Sequence, residues 1–187
     1  MNLIIGLGNP DTSLQNTRHN IGRDILIQFA KKNGLPQFRL EKKFDAEITG
    51  GKIGKKKLLL ALPHDGMNKS GSAVAPLARF YRIKPAAIFV IHDDADIILG
   101  RGKLSFNRNS AGHKGVESII RALKTNAFWR FRIGLAGKRD ISAEKIVLSR
   151  FLPKERPMVA KIIRKTVDAL INALETSPER AMNGYNA

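Results

Sequence analysis

Short apolar runs alternate along this chain with longer stretches of helical period. The runs at 3–7, 44–49, 57–62, 87–92, 102–106 and 130–135 have the length and composition of strands. Helix-period patterns occupy 21–33, 70–81, 116–123 and 154–174. The last segment, 178–187, reads as a short terminal helix or a frayed tail. Gly50, Gly51 and Gly54 break 44–62 into a hairpin. Strands alternating with helices predict an α/β fold: a single domain over 1–187, a mixed β-sheet flanked by helices, with the hairpin as its antiparallel part.

The polar segments between these elements hold the candidate chemistry. After the first strand comes Gly6-Leu7-Gly8-Asn9-Pro10, then Thr17-Arg18-His19-Asn20, with Asn20 placed to cap the next helix. The loop therefore presents an amide, Asn9, and an imidazole, His19, at a strand end, where open α/β sheets carry their chemistry. Met67-Asn68-Lys69-Ser70-Gly71 enters a helix, with Ser70 as its expected cap. Asn68 just outside it can orient a polar substrate or merely close the turn. His92-Asp93-Asp94-Ala95-Asp96 follows the apolar run 87–91, so a carboxylate there can hold an imidazole from another loop; the plainer reading is a polar turn. Gly112-His113-Lys114-Gly115 leads into a helix whose first amides and Lys114 would attract an anion, unless it is an ordinary loop-to-helix junction.

Charge changes the picture most. Thirty-three Lys and Arg against sixteen Asp and Glu leave +17, which favours a polyanionic partner, nucleic acid first. Aromatic residues are only 6% of the chain, so contact through phosphates is better supported than base stacking. There is no cysteine, which removes disulfides, thiolate nucleophiles and cysteine zinc sites and is compatible with a reducing cytoplasm. No apolar run reaches the roughly 18 residues of a membrane span, and the first residues lack a secretory pattern.

Several familiar motifs fail. Gly6-Leu7-Gly8 lacks the third glycine of a dinucleotide fingerprint, and Gly54-Lys55-Lys56-Lys57 lacks the rest of a P-loop. Ser142-Ala143-Glu144-Lys145 stands without its companion motifs, and no G-x-S-x-G elbow is present. The aspartates at 93, 94 and 96 could offer a hard cation several oxygens, but they do not follow EF-hand spacing, which weighs against a metal.

Together these segments resemble bacterial-type peptidyl-tRNA hydrolases over nearly the whole chain. The first loop looks like the family's opening signature, 67–71 is similar to its M-N-x-S-G element, 92–96 to H-D-x-x-D, and 112–115 to G-H-N-G. Arg130-Phe131-Arg132-Ile133-Gly134 matches R-x-R-I-G, and Ala181-Met182-Asn183 its C-terminal A-M-N. The resemblance implies a cytoplasmic, monomeric α/β enzyme without cofactor that cleaves the ester between a peptide and the 3′ ribose of tRNA. It implies His19 as general base and Asp93 as its orienting partner, with Asn9, Asn68, Met67, His113 and Lys114 positioning the substrate. It implies Arg132 as one of two basic residues clamping the tRNA 5′ phosphate; the other falls on Ser105, with Lys103 and Arg108 near enough to replace it. Lys114 stands where the family has Asn, Gly66 where it has an aromatic residue, and Leu14 where it often has Tyr. Lys114 and Gly66 favour the alternative reading, a non-catalytic or weakly active RNA-binding paralogue; intact His19 and Asp93 oppose it. A general esterase would have little use for so large a charge.

Overall fold

A computed structural model describes residues 1–11, 14, 17–136 and 143–187. Ser142, which opens the Ser-x-x-Lys pattern, and part of the first loop (12, 13, 15 and 16) lie outside what it describes. Seven strands, β1 (Asn2–Gly6), β2 (Arg39–Glu41), β3 (Ala46–Ile53), β4 (Lys56–Pro63), β5 (Ile88–Ile98), β6 (Gly102–Phe106) and β7 (Trp129–Ala136), form one sheet in the order β2-β3-β4-β1-β5-β7-β6. β4, β1, β5 and β7 run parallel. β2 and β3 extend one edge antiparallel, and β6 closes the other antiparallel to β7. The expected mixed sheet and hairpin are therefore present.

Alternation along β1 sends successive side chains to opposite faces and builds two cores. Ile4, with Leu60 and Ile91, packs under helices α1 (Ile21–Lys32) and α5 (Arg156–Glu175). Leu3 and Ile5, with Leu59 and Ala61, pack under α2 (Ser70–Phe80) and α3 (Lys114–Leu123). The short α4 (Ala143–Leu148) lies beside the first loop, and α6 (Pro178–Asn186) is a true helix rather than a frayed tail. α6 also covers the edge strand: Asn186 Oδ1 accepts from the Leu104 amide at 2.7 Å and Asn186 Nδ2 donates to its carbonyl at 3.0 Å.

Three local expectations are corrected. The polar segment 92–96 is not a turn after a strand; β5 continues through it to Ile98, because Asp93 and Asp94 are buried against cationic or hydrogen-bonding partners. Asn20 makes no side-chain cap to α1; its Oδ1 instead accepts from the Asn9 amide at 2.7 Å and its Nδ2 donates to the Asn9 carbonyl at 3.1 Å. Ser70 is the first residue of α2, not its cap, and its hydroxyl bonds the Met67 carbonyl at 2.8 Å. The sequence reading also passed over β2 and α4, both too short to show a period.

α1 lies so close to the sheet that it leaves no room for a side chain at Gly22. A methyl there would press on the Ile91 and Leu7 carbonyl oxygens. Gly22→Ala should cost about 2 kcal/mol or more, because backbone rather than a flexible side chain must move; thermal unfolding of the two proteins measures it, and an unchanged midpoint would contradict this packing.

Candidate active site

Three segments converge at the carboxyl ends of the parallel strands. Asn9 follows β1, Asn68 follows β4 in a 3-10 turn at Met67–Lys69, and Asp93 stands on β5. The sheet order reverses direction around β1, the place where open α/β sheets form a crevice. His19 enters from the 3-10 turn Arg18–Asn20. Arg18 fixes that turn, donating to Glu155 Oε2 at 2.6 Å and to Ser149 Oγ at 3.0 Å. These residues line a cleft of about 640 Å³, which also includes Met67, His113, Lys114 and Leu148.

The proton arrangement follows from the hydrogen bonds. His113 caps α3 with its ring: Nδ1 accepts from the amides of Gly115 at 3.1 Å and Val116 at 3.2 Å. Nδ1 therefore carries no proton, and Nε2–H donates to Asp93 Oδ1 at 3.0 Å. The same oxygen accepts from His19 Nδ1–H at 2.8 Å, which leaves the lone pair of His19 on Nε2. Burial pushes the Asp93 carboxyl up, but the hydrogen bonds it accepts from His113 and His19 outweigh it and hold the group well below the usual carboxylate range.

His19, Asp93 and His113 also bring three ligand atoms within 4.8 Å, a spacing a metal ion could use. The donor chemistry argues otherwise. For His113 Nε2 to bind a metal while Nδ1 accepts two amides, the ring would need to lose both protons.

Asn9 Oδ1 accepts from the Met67 amide at 3.3 Å, tying the first loop to the turn that carries Asn68. Asn68 and Lys114 are exposed on the cleft wall, whereas Met67 is largely buried. His64, the fourth histidine, lies apart, 3.6 Å from Glu47.

A second cavity of about 610 Å³ adjoins the cleft, and Ala111 lines both. It gathers all three expected tRNA contacts, Lys103, Arg108 and Arg132. Lys103 and Arg132 stand opposite each other across β6 and β7, and so do Ser105 and Arg130. Arg132 Nε is held by Asp94 Oδ2 at 2.7 Å. Arg130 is fully buried, and among the described residues none of its three guanidinium nitrogens has a hydrogen-bond partner, nor has the Ser105 hydroxyl. Burial, then the neighbouring Arg132 charge, lowers the Arg130 guanidinium to about 10, so it remains a cation at neutral pH. The sequence reading missed Arg130. The signal was the Arg-x-Arg alternation on one strand face opposite Lys-x-Ser on the next.

The peptidyl-tRNA hydrolase family model matches residues 3–187. The chain belongs to the peptidyl-tRNA hydrolase family. The peptidyl-tRNA hydrolase of Mycobacterium tuberculosis is 39% identical over 188 residues, covering 99% of this chain and 97% of that protein. The enzyme of Mycobacterium ulcerans is 38% identical over the same extent. The crystal structure of peptidyl-tRNA hydrolase from Acinetobacter baumannii is 32% identical and superposes with a TM-score of 0.92, over 100% of this chain and 95% of that one. The resemblance in the motifs thus extends through the whole peptidyl-tRNA hydrolase fold.

His92 supplies a pH test of this geometry. It is fully buried, its Nδ1 donates to the Asp93 carbonyl at 2.6 Å, and its Nε2 has no hydrogen-bond partner among the described residues. Burial, with the charge of Arg130 adding to it, holds it well below the ordinary histidine value. The folded state keeps His92 neutral while the unfolded chain binds a proton near pH 6.5. Stability should therefore fall as pH drops below about 6.5. Urea unfolding at pH 7 and pH 5 should show a smaller decline for His92→Gln than for wild type; an equal decline would remove the assignment.

Proposed function

We propose that this cleft hydrolyses the ester joining a peptide to the 3′ ribose of tRNA, with His19 Nε2 as the general base. The observation that carries the reading is the shared Asp93 oxygen. It fixes the His19 tautomer and so leaves the free lone pair on Nε2 of a ring that lines the cleft. When His19 takes a proton from water, the Asp93 charge stabilises the imidazolium that forms. The water attacks the ester carbonyl, and the resulting oxyanion needs a donor. The side-chain amide of Asn68, exposed in the cleft, is the proposed group, with Asn9 holding its turn in place. The tetrahedral intermediate then expels the ribose oxygen, which recovers the proton from His19. Lys114 in the cleft can donate but not accept a hydrogen bond, so in this reading it stabilises negative charge and does not orient the attacking water.

The adjoining cavity supplies the phosphate contacts in the same reading. Lys103 and Arg108 are exposed and reach solvent, while buried Arg130 adds positive potential beneath them. Because Arg132 is already engaged by Asp94, the remaining cations carry most of the attraction for a phosphate. The intact network of His19, Asp93 and His113 favours turnover over the RNA-binding paralogue that has lost it.

Two experiments test the proposal. His19→Ala should lower single-turnover cleavage of an N-blocked aminoacyl-tRNA by roughly 10²–10⁴-fold with little change in tRNA affinity; near wild-type cleavage would remove the base assignment. Lys103→Ala should weaken binding to uncharged tRNA and reduce the slope of log affinity against log salt by about one. An unchanged slope would exclude Lys103 from phosphate contact.

A further inference from the structure

At the opposite end of the sheet, the β3–β4 hairpin concentrates positive charge in a way the fold does not require. Lys52 and Lys57 face each other directly across the ladder, and Lys55 and Lys56 form and follow the turn. Like charges placed opposite one another destabilise a hairpin. No carboxylate lies in the chain between Glu47 and Asp65, and none of these four lysines forms an ion pair among the described residues. Lys32, on α1, shows the contrast, since it pairs with Asp168 at 2.5 Å.

The finger is also held firmly. Gly54 has φ +53° at the first position of a two-residue turn, a conformation that suits glycine there. Ile53 is buried in the core beneath α1 and α5. Gly51 accepts the Leu35 side chain so closely that any Cβ would collide with it, and Thr49 Oγ1 donates to the Pro36 carbonyl at 2.8 Å. All four lysines are exposed. The hairpin thus presents four exposed ammonium groups that have no ion-pair partner among the described residues.

We propose that this hairpin is a second RNA-binding surface, contacting the phosphates of an RNA duplex away from the reacting ester. The inference rests on the tRNA hydrolase reading only for the choice of RNA among polyanions. Ammonium groups suit sequence-independent phosphate contact. The turn exposes no apolar side chain of the kind an interfacial membrane segment inserts, since Ile53 points into the core. β4 runs from Lys56 to Pro63, so the lysines stand roughly 23 Å from the end of the strand that leads to Asn68. At that distance the surface can meet either the body of the bound substrate or a separate RNA.

The test uses the full chain carrying Lys52→Gln, Lys55→Gln, Lys56→Gln and Lys57→Gln together, all exposed positions whose change removes a repulsion. Binding to an unesterified RNA duplex is titrated across salt concentrations. The neutral variant should lose affinity and its salt slope should fall by about two to four, while the four corresponding Lys→Arg changes should restore both. Cleavage of a short N-blocked aminoacyl oligonucleotide ending in the 3′ ester should be unchanged. Against full-length N-blocked aminoacyl-tRNA, a drop in kcat/KM assigns the surface to the substrate body; an unchanged value assigns it to a separate RNA. Wild-type duplex affinity and slope in the neutral variant would overturn the proposal, as would loss of binding to phosphatidylglycerol vesicles with RNA binding intact. Absence of ester cleavage by the wild-type chain would instead strike the hydrolase reading and leave the duplex titration to be judged alone.

Discussion

One carboxylate oxygen, Asp93 Oδ1, organises the cleft. It is buried on β5 and accepts from two imidazoles that arrive from different loops. A buried carboxylate is tolerable only when its charge is met, and here both histidines meet it at one atom. Each imidazole then has one nitrogen committed. For His113 the other nitrogen is committed as well, to the first amides of α3. Only His19 keeps a nitrogen for chemistry. The helix start, the strand and the first loop are thereby tied into one proton arrangement, and moving any of them alters the lone pair that faces the cleft.

That arrangement requires close approach of backbone to backbone. Gly6 and Gly22 let α1 settle against β1 and β5, and Gly8 leaves space for the Asn20 side chain. Asn20 then bridges both backbone groups of Asn9, and Asn9 in turn receives the Met67 amide. The amide-bearing loop and the amide-bearing turn are connected through backbone groups on both sides of the cleft. The glycines of the opening motif act here as packing residues.

Much of this was legible in the chain. Apolar runs located every long strand to within a few residues, except that β5 continues well beyond its apolar part. Polarity along 92–96 looked like a turn because pattern reading treats carboxylates as solvent-facing; Asp93 and Asp94 are buried because His19, His113 and Arg132 come to them from elements distant in sequence. The caps at Asn20 and Ser70 were misread for a related reason. A local rule assigns such side chains to the nearest helix start, whereas Asn20 reaches back to Asn9 and Ser70 to Met67. Arg130 was invisible as a site residue because its strand reads as core. It becomes noticeable only when register places it opposite Ser105, beside the Lys103 and Arg132 pair.

The two cavities also differ in how their charges are handled, and that difference fits two tasks. In the cleft, Asp93 is met at short range by two histidines whose proton positions are set by hydrogen bonds. In the adjoining cavity, Arg132 pairs with Asp94, whose charge also acts on Arg130, while Lys103 and Arg108 add positive charge that no ion pair among the described residues balances. A balanced, hydrogen-bonded site suits proton transfer, because its groups need not reorganise as charge moves. An unbalanced basic cavity suits an incoming phosphate, because the ligand supplies the missing charge. Ala111 lies on the wall between them. Under the proposed function, a substrate with a phosphate near its reactive ester would span both, with the phosphate held at the unbalanced side and the ester before His19, leaving the proton network around Asp93 undisturbed.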